Sequence, residues 1–218
     1  MKAEFWLSKW EKNEIGFHLA APHPWLVQGW SQFEPAKEAC VFVPLCGKTH
    51  DIDFFLTQGH RVVANELSEA AVKEVFSRLN ITPSIVEWAG GSCYESEQLT
   101  VYVGDFFQLS AEQIGQVDYV YDRAAIIALP FEMREAYAQK IMTLCPNAQQ
   151  CLITLAYDQN AMTGPPFSVN DDEVKQHYSK YYKIERLHGA DILEHEPKFK
   201  QNGLNALEQS FYRLTPNF

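Results

Sequence analysis

Val41-Phe42-Val43-Pro44-Leu45-Cys46-Gly47-Lys48, followed after one helical stretch by Arg61-Val62-Val63-Ala64-Asn65-Glu66, decides the fold. The first run opens as a short apolar strand and ends in a turn that contains a glycine. Thr49 to Gln58 then carries Ile52, Phe55 and Leu56 at helical spacing, with Gly59 as its stop. The second run is again a strand. Ser68 is a good N-cap, and Glu69 to Leu79 places Ala71, Val72, Val75, Phe76 and Leu79 on one side. Strand alternating with helix is the pattern of βαβ units, so a largely parallel sheet is expected.

The pattern continues outward. Ser84 to Trp88 and Leu99 to Val103 read as strands on either side of a Gly90-Gly91 turn region, the second of them entering the main sheet. Val117 to Tyr121 and Cys151 to Tyr157 are further strands, and Phe131 to Leu144 and Asp171 to Lys180 are helices. Tyr182 to Leu187 and Glu208 to Leu214 form a terminal pair, expected as an antiparallel edge. Residues 1–40 do not alternate. They are rich in aromatics (Phe5, Trp6, Trp10, Phe17, Trp25, Trp30 and Phe33) and are expected to cover one end of the sheet as helices or loops. Trp25, Trp30 and Phe33 read as core.

Composition excludes several classes. A chain of 218 residues points to one domain, 1–218, with 1–40 as the cover segment and 41–218 as the core. The formal charge of −10 repels polyanions, so neither nucleic acid nor an anionic membrane surface is an expected partner. No uncharged run is long enough to span a bilayer, and the N-terminus has no apolar stretch of the secretory kind. The five cysteines, Cys40, Cys46, Cys93, Cys145 and Cys151, form no C-x-x-C pair. They read as buried thiols in a reducing, cytoplasmic protein. No apolar stripe is left over once the core is assigned, which suggests a monomer.

In a sheet of this kind, ligands bind beyond the carboxyl ends of the strands. Gly47 and Glu66 both sit there, nineteen residues apart. A carboxylate at that spacing accepts hydrogen bonds from the hydroxyls of a ribose that carries no phosphate. Gly47-Lys48-Thr49 imitates the end of a phosphate-binding loop, but the position that needs the first glycine is Phe42. Only one of the three dinucleotide glycines is present. A cofactor without phosphate needs fewer of them, so S-adenosylmethionine is favoured over NAD. The plain alternative is an ordinary turn with a solvated Glu66. Asp105 and Phe106 end another strand, where an acid and a ring can hold adenine, or merely make a turn. Tyr121-Asp122-Arg123 ends the next strand, where an arginine suits an anion or forms a surface ion pair with Asp122. His50, Asp51 and Asp53 read as the polar face of a helix, and no metal is expected.

These segments resemble the thiopurine S-methyltransferase family in its bacterial form. The resemblance covers nearly the whole chain and rests on Trp6-x-x-x-Trp10 with Phe17-His18, Val41 to Lys48, Glu66-Leu67-Ser68-Glu69, Tyr121-Asp122-Arg123-Ala124-Ala125, and Tyr157-Asp158 with Gly164-Pro165-Pro166-Phe167. It implies a class I methyltransferase (Rossmann-like) α/β fold, a seven-stranded, mostly parallel sheet with helices on both faces and an antiparallel last strand. It implies S-adenosyl-L-methionine as cofactor and S-adenosyl-L-homocysteine as product. Trp10, Leu45, Glu66 and Arg123 would contact the cofactor, Trp6 and Phe17 would close over it, Gly47 would allow close approach, and Asp105 and Phe106 would lie at the adenine. Arg123 would also face the acceptor. The animal enzymes carry a second arginine late in the chain, and counting back without gaps from Gly203 puts Lys198 in its place. Their Trp-Asp-Arg is Tyr121-Asp122-Arg123 here. The expected acceptor is a small-molecule thiol such as a thiopurine, or a selenium or tellurium compound, the bacterial branch being associated with tellurite resistance and selenium metabolism. A halide or thiocyanate methyltransferase and a non-enzymatic cofactor sensor are the competing readings. No catalytic base is assigned; Asp122 is read chiefly as orienting Arg123.

Overall fold

A computed structural model describes residues 3–217, so Met1 and Lys2 in the N-terminal reading, and Phe218, lie outside the described residues. The chain divides into two compact units, Met1–Val120 and Tyr121–Phe218.

The first unit opens with α1 (Ala3–Glu11), α2 (Pro24–Gly29) and a 3-10 turn at Trp30–Phe33. It continues through β1 (Cys40–Val43), α3 (Asp51–Thr57), β2 (Arg61–Glu66) and α4 (Glu69–Leu79). After β3 (Ser84–Trp88), β4 (Gly91–Glu95) and β5 (Leu99–Gly104) come a 3-10 turn at Phe106–Gln108, α5 (Ala111–Ile114) and the start of β6 (Tyr119–Arg123). Its strands run in the order β3-β4-β5-β2-β1-β6. β1 pairs in parallel with β2 and, through Val41 and Phe42, with β6, and β2 pairs in parallel with β5. Every residue of β1 is buried, as a parallel strand in mid-sheet requires. Ser68 caps α4 by accepting from the amide of Ala71, as the sequence predicts.

The second unit holds α6 (Phe131–Leu144), β7 (Gln149–Ala156), α7 (Asp171–Tyr178), β8 (Tyr182–Asp191), α8 (Pro197–Gln201) and β9 (Glu208–Pro216). β9 is antiparallel to both β7 and β8, so the antiparallel last strand is present, with β8 rather than β9 ending the order β7-β9-β8. Arg134 of α6 is 2% exposed and forks onto both oxygens of Glu173 at 2.6 and 2.7 Å while donating to the carbonyls of Leu129 and Ser168. That cluster ties α6 to α7. Burial pushes the Glu173 carboxyl up, but His177 and Arg134 together hold it below its ordinary range.

Two expectations change. The described residues contain nine strands rather than seven, because β3 and β4 form an antiparallel hairpin added beyond β5. Gly91-Ser92-Cys93-Tyr94-Glu95 has weak strand character of its own and is held by pairing on both sides. β1 pairs in parallel with β2 and β6, and β2 with β5, while the added β3–β4 hairpin is antiparallel. Trp30 and Phe33 are 3% and 2% exposed, as a core reading requires, whereas Trp25 is half-buried and packs edge-on against His23. All five cysteines are buried, and none forms a disulfide.

Candidate active site

The turn after β1 is the centre of the candidate site. Leu45 and Gly47 both adopt left-handed backbone, with φ of 46° and 54°. Such a conformation suits glycine and strains a branched residue. The Gly47 amide donates to Oε2 of Glu66 at 2.7 Å, and the Ser68 amide donates to Oε1 at 2.8 Å. The Cys46 amide donates to the carbonyl of Asn65. The turns that follow β1 and β2 are thereby laced together through one carboxylate.

Glu66 is 6% exposed, which removes the reading of it as a solvated surface residue. Burial pushes its carboxyl above the usual range, and the amides of Ser68, Gly47 and Leu67 pull it back. Each carboxylate oxygen has room for two donors. The two short amide bonds fall one on each oxygen, and even with the Leu67 amide acting on the group the carboxylate has acceptor capacity left for a hydroxyl. A ribose diol suits that donor deficit; a phosphate does not.

Two aromatic side chains of the first unit, Trp10 and Phe17, lie over Gly47, and Trp6 packs on Phe17 behind them. A Cβ at that position would lie 3.1 Å from Cζ2 of Trp10 and 3.8 Å from Cε2 of Phe17. Phe17 stands edge-on to Trp10 and to Trp6, with ring centres 5.6 and 5.8 Å apart. Trp6, Trp10 and Phe17 are only half-buried, unlike Trp30 and Phe33. Trp10 and Phe17 lie against the turn, Phe17 links them to Trp6, and all three rings stay half-exposed, unlike packed core residues.

β5 ends at the same edge. Its Val103 is the register partner of Glu66, and Gly104-Asp105 follows at once. Asn65 fixes this end by donating from Nδ2 to the carbonyls of Tyr102 and Gly104. Asp105 is exposed and accepts from the Phe107 amide at 3.0 Å, capping the 3-10 turn. Phe106 points inward instead: it is 3% exposed and stacks on Phe42. The half-buried ring at this strand end is Phe107.

In the second unit Arg123 is half-buried at the end of β6, followed by Ala124 with φ of 65°. Asp122 is 1% exposed, so it is not half of a surface ion pair. It accepts from the Ile126 amide at 3.1 Å and the Tyr137 hydroxyl at 2.8 Å. Burial pushes its carboxyl up to about 6, against those hydrogen bonds. Lys198 is exposed on α8.

The helical carboxylates near Gly47 were underread by sequence. Asp51 is fully buried, accepting from the His23 amide at 2.7 Å and the Thr49 hydroxyl at 2.9 Å. It ties the aromatic segment to the start of α3. Asp53 receives the fork of Arg78 from α4. No metal-binding group of three or more ligands occurs among the described residues.

The family described as "Thiopurine S-methyltransferase (TPMT)" matches residues 1–217. A protein of Pseudomonas fluorescens (strain SBW25) named thiopurine S-methyltransferase is 43% identical over 98% of this chain and 99% of its own length. One of Shewanella pealeana with the same name is 42% identical over 98% of both chains. Among solved structures, the Burkholderia thailandensis 1,6-didemethyltoxoflavin-N1-methyltransferase, crystallised with 1,6-didemethyltoxoflavin and S-adenosylhomocysteine, superposes with a TM-score of 0.62 over 98% of this chain and 87% of its own, at 16% identity. That likeness establishes the fold as the class I methyltransferase fold.

Proposed function

Because this chain belongs to the thiopurine S-methyltransferase family and is an S-adenosylmethionine-dependent methyltransferase, we propose that it methylates the sulfur of aromatic or heterocyclic thiols such as thiopurines, and selenium or tellurium compounds of similar chemistry. The observation that carries the site assignment is the buried Glu66 carboxylate, held at 2.7 Å from the Gly47 amide under the rings of Trp10 and Phe17.

In this reading Glu66 takes the ribose hydroxyls. Leu45 and Gly47 present backbone to the cofactor, and Asp105 stands exposed where an adenine amino group can donate to it. Phe106 shapes that end from below, by packing on Phe42. Trp6, Trp10 and Phe17 close over the turn and exclude water. The cofactor supplies a sulfonium methyl group that is already electrophilic. The residues around it therefore need only align a soft, readily deprotonated sulfur and strip it of water. No residue is assigned as a general base, and the reading needs no metal. Asp122 serves as a buried anchor for the backbone after β6, which sets the direction of Arg123. Arg123 holds an anionic acceptor as well as the cofactor, and Lys198 supplies a second cation for the acceptor without the planar fork of an arginine.

No helix among the described residues is long and apolar enough to cross a membrane. With a charge of −10, the protein is read as a cytoplasmic monomer acting on a small molecule, with neither nucleic acid nor membrane as partner.

The test is a methylation assay with a thiopurine, read by mass, on wild type and Arg123→Ala. Wild type should give the S-methyl product. The variant should lose more turnover on an anionic acceptor than on a neutral thiol. Absence of product from wild type would refute the acceptor class, and equal losses would confine Arg123 to the cofactor.

A further inference from the structure

Arg78 of α4 is none of the residues assigned above, yet its guanidinium is committed to the loop that follows Gly47. Nε and Nη2 fork onto the two oxygens of Asp53 at 3.0 and 2.6 Å. Nη1 donates to the carbonyl of Lys48 at 2.9 Å, and Nη2 donates to that of Thr49 at 3.1 Å. One turn earlier on the same helix, Glu74 holds Nζ of Lys48 at 2.6 Å. Glu74 and Arg78 are four residues apart and so share a face. Lys48 in turn lies 5.9 Å from the Trp10 ring.

The loop is therefore gripped from two directions. Glu66 of β2 takes the amide of Gly47, and Arg78 of α4 takes the carbonyls of the next two residues. Two left-handed residues stand in this loop, at Leu45 and Gly47. At a non-glycine residue such as Leu45, that backbone persists only where its surroundings over-determine it. From three nitrogens in one plane, Arg78 makes those four hydrogen bonds at once, whereas a lysine has three donors on a single atom and cannot fork onto the carboxylate. Asp53 fixes the fork, so that the guanidinium arrives already aimed.

We propose that Arg78 is a positioning residue for cofactor binding, setting the Leu45–Gly47 backbone and the seat of Trp10 through Lys48 and Thr49. The proposal rests on the assignment of that turn to the cofactor. A residue that only stabilised α4 would lower the melting temperature and leave both Michaelis constants alone. A positioning residue splits the kinetics. Arg78→Lys should raise KM for S-adenosylmethionine and Kd for S-adenosylhomocysteine about tenfold, with KM for the thiopurine and kcat at saturating cofactor within about twofold of wild type. Asp53→Asn, which loosens the fork without removing it, should give a rise of about threefold and serves if Arg78→Lys does not fold. Thermal melts of both variants check that each is native at the assay temperature.

A native Arg78→Lys with unchanged cofactor constants would overturn the proposal. So would equal changes in the constants of both substrates. Failure of wild type to bind S-adenosylhomocysteine would instead refute the site assignment on which the proposal rests.

Discussion

Glu66→Gln is the most informative perturbation of the site. The carboxylate accepts two backbone amides, at 2.7 Å from Gly47 and 2.8 Å from Ser68. A glutamine side chain has one acceptor oxygen, so one of these amides would face an NH2 group. A hydrogen bond to a charged group contributes roughly 1.5–3 kcal/mol, and the buried amide left behind is itself costly. An opposing effect reduces the loss. Burial raises the Glu66 pKa, so its charged form at neutral pH is a burden on the fold that glutamine removes. The net stability loss should be about 1–2 kcal/mol. The ribose contact has no such offset, because the cofactor then meets a neutral amide in place of a carboxylate. Its loss of about 1.5–3 kcal/mol corresponds to a Kd for S-adenosylhomocysteine raised about 10- to 150-fold. Urea unfolding and calorimetric titration at pH 7 measure the two effects separately. Cofactor affinity within twofold of wild type, together with the stability loss, would refute the ribose role and leave Glu66 as a strut between two turns.

Gly47→Ala should lose about 1–2 kcal/mol of stability from its φ of 54°. It should also weaken S-adenosylhomocysteine binding, since the new Cβ would lie 3.1 Å from the Trp10 ring; an alanine variant as stable and as tight-binding as wild type would contradict the geometry of the turn. Asp122 should confer a pH dependence of stability. Its folded carboxyl titrates near 6 against an ordinary 3.8, so the folded state binds the extra proton between those values, and the stability this group contributes falls as pH rises through them. At about 1.4 kcal/mol per unit the full span is about 3 kcal/mol. Asp122→Asn should therefore show a larger deficit against wild type at pH 4.5 than at pH 6.5 in urea melts, and a constant deficit would mean that Asp122 titrates normally.

Local chemistry made part of this legible. The β1–turn–α3 and β2–α4 units follow from apolar periodicity, Gly59 and the Ser68 cap, all short-range signals. β4 was not readable, because its pairing with β3 and β5 rather than its composition makes it a strand. Gly47 and Glu66 were readable as a pair from their spacing. That Glu66 bonds to the Gly47 amide was not, since it depends on the parallel register of β1 and β2. Asp51 and Asp53 looked like a solvated helix face because the groups that hold them lie far along the chain. His23 is 28 residues from Asp51, and Arg78 is 25 residues from Asp53. Phe106 and Asp122 show the same limit: strand-end position was apparent, but the inward direction of each side chain is set by Phe42 and Tyr137.

The central claim is that the Gly47–Glu66 edge binds S-adenosylmethionine for methyl transfer to sulfur. Calorimetric titration of the wild-type protein with S-adenosylhomocysteine, with thiopurine methylation followed on the same preparation, tests it most directly. The account predicts saturable one-to-one binding together with formation of the S-methyl product. A protein that is folded by thermal melt and shows no binding heat at any temperature tried would contradict the assignment of Leu45, Gly47 and Glu66.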